Sequence, residues 1–379
     1  MPGLPSSLQR TSATASYAPK NEEKQKTTMR DAVADIALVV NPNSCSGLTG
    51  KDWDNLFLKI KEVLGNNIEV AFTKKPGEGT ELARDFLRKG FTKIAAIGGD
   101  GTINEVANGF FEDTTGIRGV RDTQENTNKI RTDTGMNNTF PSPLRLKPIN
   151  PDAMMAVVPC GTRNVLARSL GLPEGVVQCC RTFSLGNPRK IDIISATVTN
   201  PTDHSIVNTR IVLKAVEMGA AAEIIDRSKK VREVINSRMI STIAGIISTL
   251  PAYQSNTCQV NFEKCNGHRG EFIAKITMAI VANGQFLGGG FKAAPKADMS
   301  DSLLDLVILR DSGSFKMLDE LVSMKEGDYS EEDNIFYTQM KKVSLSSKER
   351  DVTVTVDGEP IGILPATFEI IPNALTVRM

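Results

Sequence analysis

The strongest constraint on this chain is a rhythm near its N-terminus, where short apolar runs alternate with stretches whose apolar residues recur every three or four positions. Ile36 to Val40 is a compact, partly β-branched run that breaks into the polar turn Asn41-Pro42-Asn43-Ser44. Trp53, Leu56, Phe57, Ile60, Val63 and Leu64 then repeat at helical spacing before the next expected strand, Ile68 to Thr73. Leu82, Phe86 and Leu87 mark another helix, and Lys93 to Ile97 and Ala156 to Val158 continue the series as strands. Alternation of this kind predicts an α/β fold with a mostly parallel sheet covered by helices.

After Lys190 the pattern changes. Ile191 to Val198, Ile206 to Val216, Cys258 to Phe262, Ile273 to Asn283, Leu304 to Leu309, Lys342 to Ser346 and Val352 to Val356 read as strands, several of them alternating. With 379 residues the chain exceeds one comfortable core, so two domains are expected, the second β-rich. One strong helical stretch interrupts it, from about Ala221 to Thr249. Its basic run Arg227, Lys229, Lys230 and Arg232 suits either phosphates and lipid headgroups or a plain solvated face.

Forty-five basic and 44 acidic residues leave a net charge of +1, which argues against a nucleic-acid partner held by a chain-wide positive field. The six cysteines show no C-x-x-C spacing and there are two histidines, so a zinc cluster is not expected; the thiols read as reduced and buried, and the compartment as cytoplasmic. No apolar run reaches the length of a membrane span, and the first thirty residues lack the apolar core of a signal peptide. Residues 1–30 and about 113–150 are polar and aperiodic; the first reads as a disordered tail, the second as a disordered insertion or a lid.

Chemistry concentrates in two loops. Gly98-Gly99-Asp100-Gly101-Thr102-Ile103-Asn104-Glu105 follows a strand and opens a helix, a geometry that lets main-chain N–H groups approach phosphate at a helix N-terminus. Thr102 is expected to cap that helix, and Asp100, which bare phosphate would repel, suggests magnesium or another bridging cation. The Lys-Ser/Thr pair of a Walker A loop is missing. A second strand-to-helix loop, Pro159-Cys160-Gly161-Thr162-Arg163-Asn164, would share its crevice, unless the two are unrelated packing turns. Late in the chain, Asp357 and Glu359 follow an alternating strand at i, i+2 spacing, which projects both carboxylates to one side; Asp357-Gly358 is equally a hairpin signal. Paired carboxylates can accept the proton of an attacking hydroxyl and orient it.

Taken together, these motifs resemble the diacylglycerol kinase catalytic family, which includes sphingosine kinases and bacterial lipid kinases. The likeness runs from about Asp31 to Met379 through the Asn41-Pro42 turn, Gly98 to Glu105, Pro159 to Leu172, Asn283 to Pro295, Asp301 to Asp305, and Asp357-Gly358-Glu359. The resemblance implies a Rossmann-like ATP-binding domain over residues 31–188, completed by a terminal strand at about 374–379, and a β-sandwich lipid-binding domain over 189–373. It implies ATP contacts at Asn41, Thr73, Gly99, Asp100, Gly101, Thr102, Ile103, Asn104, Glu105 and Thr162, and catalysis by Asp357 as general base with Glu359 as the close contender. It implies a structural Mg2+ at Asp301, with backbone oxygens near Asp298 and Leu303. Ser302 departs from the glycine usual there, Asn164-Val165 from an Asn-Asp pair, and Cys45 from a Ser-Gly turn that Ser46-Gly47 restores one position later.

The function expected from this resemblance is transfer of the γ-phosphate of ATP to a lipid alcohol, diacylglycerol or a sphingoid type, within phospholipid metabolism. Its partners would be that lipid, the inner face of a membrane touched transiently, and, because relatives often dimerise, a second copy of the chain. An NAD kinase-like enzyme, which shares the glycine loop, and a non-catalytic nucleotide-binding protein are the alternatives.

Overall fold

The computed structural model describes residues 35–113, 146–161, 164–204, 207–234, 244–246, 248–249, 253–287, 291–312, 314–329, 334–356 and 359–379. In chain order the first elements are β1 (Ile36–Val40), α1 (Leu48–Lys51), α2 (Trp53–Leu64), β2 (Ile68–Phe72), α3 (Glu78–Arg88), β3 (Lys93–Gly98), α4 (Asp100–Gly109), β4 (Phe111–Asp113), β5 (Leu146–Pro148), β6 (Met154–Pro159), α5 (Val165–Ser169) and α6 (Val176–Leu185). There follow β7 (Pro188–Thr199), β8 (Val207–Val212), β9 (Ala215–Gly219), α7 (Ala220–Val234), β10 (Asn256–Glu263), β11 (Arg269–Ala282), β12 (Leu304–Arg310), α8 (Ser314–Glu326), β13 (Ile335–Met340), β14 (Lys342–Ser347), β15 (Thr353–Val356) and β16 (Glu359–Arg378).

Strands β2, β1, β3 and β6 lie side by side and parallel. The side chains of β1, β3 and β6 are buried on both faces, which is why these strands read as continuous apolar runs rather than as alternation, whereas β2 is the partly exposed edge. Leu38, Ile97 and Val158 pack with Ile60 of α2 and Cys180 and Phe183 of α6. Ala37, Val39, Ala96 and Val157 face Phe86 of α3 and Ile103 and Val106 of α4. The carboxyl ends of these strands therefore open between two helical layers.

The expected mostly parallel sheet needs correction. Parallel pairing is confined to those four strands and to Val377 of β16 beside Met155, while every later pairing is antiparallel, so the sheet as a whole is mostly antiparallel. Connections of a few residues join β10 to β11 and β15 to β16, and only antiparallel neighbours can be joined that way. The strand expected over Ile206 to Val216 is two, β8 and β9, divided by a bend at Leu213 and Lys214.

A single element ties the fold together. β16 runs for 20 residues and pairs with β15, β14, β7 and β6. Register shifts at Ile363/Ala366 and Ile371/Leu375 absorb its prolines, as bulges do in long strands. From Ala34 onward the chain is one compact unit. Among the described residues no helix is long and apolar enough to cross a membrane. Of the six free cysteines Cys179, Cys180 and Cys258 are buried, whereas Cys265 is exposed, which corrects the expectation of uniformly buried thiols. Burial, helped by neighbouring thiols, pushes Cys160 up to about 12 and leaves it a poor nucleophile.

Candidate active site

The two glycine loops touch. β3 and β6 are neighbours with Gly98 opposite Pro159, and the N–H of Cys160 donates to the Gly98 carbonyl at 2.8 Å. A Cβ on Gly161 would lie 2.6 Å from the Cα of Gly99, a contact that backbone against backbone cannot relieve. Glycine at 161 is thus what lets the loops share one crevice at the strands' carboxyl ends. Asn164, in the left-handed region at φ 49°, closes the second loop by accepting the Gly161 N–H at 2.9 Å.

Around this contact the polar side chains are committed to structure more than their types suggest. Asn41 donates from Nδ2 to Thr102 Oγ1 at 2.9 Å, joining the β1 turn to α4. Thr102 is buried and sits inside α4, whose N-cap is Gly99 with no side-chain bond, so the expected capping role is corrected. Thr73 is buried at the end of β2, its N–H bonded to Val40 O at 2.9 Å. The Ile103 side chain is sealed in the core, so any ligand contact there is limited to its main chain.

Both acids of the loop are helix caps. Asp100 accepts from Val165 N at 3.1 Å and Leu166 N at 2.9 Å, satisfying the orphan donors of α5. Glu105 accepts from Gly77 N at 2.8 Å and Gly79 N at 3.1 Å at the start of α3. Each oxygen of the Asp100 carboxylate thus accepts a main-chain N–H, which gives this acid a structural role in the crevice. Asn104 carries a third structural load, accepting from Leu213 N at 3.1 Å and donating to Ile211 O at 3.2 Å. Asn108, one turn on, repeats the arrangement with Ile211 N at 3.0 Å and Ile211 O at 2.9 Å. These amides lock α4 to β8. Sequence reading missed Asn108, although the Asn pair at i, i+4 is a visible signal of one face.

The late acidic segment reaches the same place. Glu359 is exposed and lines a cavity of about 510 Å³ together with Gly101, Asn104 and Glu105. Arg84, Arg210 and Val356 line it too. Asp357 and Thr162 lie outside the described residues. The base of the hairpin is fixed by Val356 opposite Val216 and by Thr355 Oγ1 donating to Glu217 O at 3.2 Å.

The segment expected to hold magnesium is an oxygen-rich turn. Asp301 Oδ1 accepts from Leu303 N at 2.9 Å, and Asp301 N donates to Asp298 O at 3.3 Å. Partial burial, with Asp298 and Asp192 nearby, raises the Asp301 pKa, a crowding that a bound cation would relieve. One carboxylate with main-chain carbonyls suits a hard cation that keeps several waters, so the donors fit magnesium. The Asp298 carboxylate is engaged by Ser300 and faces Arg189 at 3.6 Å. Among the described residues no group of three or more His, Cys, Asp or Glu could hold a metal. Ser302 adopts φ 65°, which explains why glycine suits that position, and its N–H is held by the buried Asp192 at 2.6 Å.

On α7, Arg227 and Lys230 pair with Glu223 at 3.8 Å and Asp226 at 2.7 Å, the signature of a solvated helix face rather than a phosphate site. Behind that helix lies a second cavity of about 70 Å³, lined by Ile224, Met278, Ile280, Leu287, Phe291, Leu321 and others, with Glu217 and Ser228 as its polar residues.

Comparison with known proteins adds a common pattern. Residues 35–196 match the diacylglycerol kinase catalytic domain, and residues 214–379 match the YegS C-terminal NAD kinase beta sandwich-like domain. A diacylglycerol kinase of Bacillus subtilis is 24% identical over 334 residues, covering 87% of this chain and 91% of that protein. A protein of Chromohalobacter salexigens named "Probable lipid kinase YegS-like" is 23% identical over 317 residues, covering 84% and 85%. A crystal structure of a diacylglycerol kinase from Bacillus anthracis superposes with a TM-score of 0.60 at 18% identity, covering 91% of this chain and 96% of that one.

Proposed function

This chain belongs to the diacylglycerol kinase catalytic family, and we propose that it transfers the γ-phosphate of ATP to the hydroxyl of a lipid alcohol. The observation that carries the reading is the cavity lined jointly by Gly101 at the glycine loop and Glu359 of the late acidic segment. In this reading residues 31–188, with 374–379, hold the nucleotide, and 189–373 hold the lipid. Main-chain donors of the touching glycine loops take the phosphates, and Asn41 and Thr73 border the nucleoside. The acyl or alkyl chain enters the apolar cavity behind α7, which takes part of a chain while the rest stays in the bilayer.

Asp357 accepts the proton of the lipid hydroxyl as its oxygen bonds to the γ-phosphorus, and the bond from that phosphorus to the bridging β–γ oxygen breaks, releasing ADP. Glu359 orients the hydroxyl. Asp301, through its carboxylate, and Asp298 and Leu303, through carbonyls, would hold a structural magnesium, which when bound supplies compensating positive charge to the acidic turn. The enzyme meets its substrate at the inner face of a membrane by transient peripheral contact. The test is transfer of labelled phosphate from ATP, with magnesium, to diacylglycerol and sphingoid bases in vesicles, with NAD as a competing acceptor. A labelled lipid is expected; label in NAD alone, or in no acceptor, refutes the reading.

A further inference from the structure

The residues assigned to the nucleotide above include two acids and no cation, yet a polyphosphate brings several negative charges. Two guanidinium groups line the same cavity, Arg84 on α3 and Arg210 on β8. Their placement is fixed by the surrounding bonds. Arg84 follows Thr80, whose hydroxyl donates to Glu105 O at 2.8 Å, and its own Nη2 reaches Phe111 O at 3.4 Å. Arg210 precedes Ile211, which Asn108 grips through both its N–H and its carbonyl. Both arginines therefore border the Asn108 end of α4, about 10 Å along the helix from Gly101.

Neither guanidinium forms a salt bridge among the described residues; Glu112, whose pKa Arg84 helps to lower, is bridged by Arg88. Arg84 is half-buried, and its buried Nε has no hydrogen-bond partner among the described residues, a costly state for a charged donor. Arg210 is exposed and forms no ion pair among the described residues. The acid nearest them on α4, Glu105, is spent on Gly77 and Gly79. Two guanidiniums without a salt-bridge partner in the lining of one cavity, which Glu81 and Glu359 also line, suit the tetrahedral oxygens of a phosphate, which arginine holds by paired, charge-assisted bonds.

We propose that Arg84 and Arg210 form an anion subsite that takes a phosphate group at the Asn108 end of this cavity, supplied by the polyphosphate of ATP or by the headgroup of an anionic lipid. The proposal rests on the kinase reading only for the identity of those two sources. It is tested on the full-length protein by titration with magnesium tripolyphosphate and by flotation with phosphatidylcholine vesicles with and without phosphatidylglycerol, using wild type, Arg210→Ala, Arg210→Lys and Arg84→Lys. Arg210→Ala, at an exposed position, is expected to keep the wild-type melting curve and to weaken binding of at least one anion about tenfold, with a shallower salt dependence. Arg210→Lys should recover part of that loss.

A loss toward tripolyphosphate alone assigns the subsite to the nucleotide, and a loss toward anionic vesicles alone assigns it to a lipid headgroup. Unchanged binding of both anions by Arg210→Ala and Arg84→Lys overturns the proposal. Neither titration needs turnover, so a protein that binds tripolyphosphate through Arg210 but phosphorylates no lipid keeps the subsite and loses the kinase reading.

Discussion

Asp100 in the first glycine loop holds the main-chain N–H of Leu166 at 2.9 Å, and with it the helix that follows the second glycine loop. Its other oxygen takes the N–H of Val165. A carboxylate at a helix N-terminus satisfies orphan donors and complements the helix dipole, so the two loops are clamped as one unit. This position offers a second explanation for an acid beside a phosphate site: it builds the crevice.

Removing that clamp should cost stability. Asp100→Ala is expected to lose about 1–2 kcal/mol, the range for a lost helix cap, and to weaken ATP binding because the second loop is no longer held. Thermal unfolding and ATP titration read the two effects. A wild-type melting temperature would show that the clamp carries no load.

The glycines of the two loops separate packing from ligand access. Gly161→Ala must push its Cβ against Gly99 Cα and should destabilise the fold by about 1–3 kcal/mol. Gly101→Ala meets nothing within 4 Å and lies inside α4, so stability should hold or rise by up to about 1 kcal/mol. ATP affinity should nevertheless fall, since the new Cβ occupies the phosphate's approach. Unimpaired ATP binding by Gly101→Ala would remove this loop from the nucleotide site.

Ser302 occupies the left-handed region at φ 65°, where a Cβ is penalised. Ser302→Gly is expected to stabilise the protein by about 0.5–1 kcal/mol in denaturant unfolding, and destabilisation would mean that the hydroxyl earns more than the backbone loses.

The acidic turn predicts a coupling of pH and magnesium. Burial pushes Asp305 up to about 6 from an ordinary 3.8, and Asp301 is raised in the same direction. A carboxyl with a raised folded pKa binds its proton more tightly folded than unfolded. Its contribution is therefore full below the unfolded pKa and is lost as pH rises through the folded one. In EDTA, stability should fall between about pH 4 and 6, by an amount on the order of 2 kcal/mol. Magnesium should raise the melting temperature above that window, and Asp301→Asn should abolish the magnesium effect. A melting temperature indifferent to magnesium would place the ion elsewhere.

What could be read from the sequence follows the range of the interactions. Strands β1 to β3 and β6, and the helices opened by the glycine loops, declare themselves through local periodicity and turn residues. The caps made by Glu105 and Asp100 do not, because their donors lie 26 and 28, and 65 and 66, residues away, and both acids read instead as ligand contacts. β16 was legible only at its end, since Pro360, Pro365 and Pro372 look like strand breaks until neighbouring strands and bulges accommodate them. The sequence reading places no helix at α6 or α8, although their 10 and 13 residues match the length of the helices it does place. Arg84 and Arg210 carry no local signal at all; only the cavity brings them together.

The central claim is that the late acidic segment and the glycine loops form one phosphoryl-transfer site, and single-turnover phosphate transfer by Asp357→Asn tests it most directly. With a lipid alcohol as acceptor, the account predicts a rate about 10²- to 10⁴-fold below wild type while ATP affinity stays close to normal. A wild-type rate from Asp357→Asn and Glu359→Gln alike would contradict it.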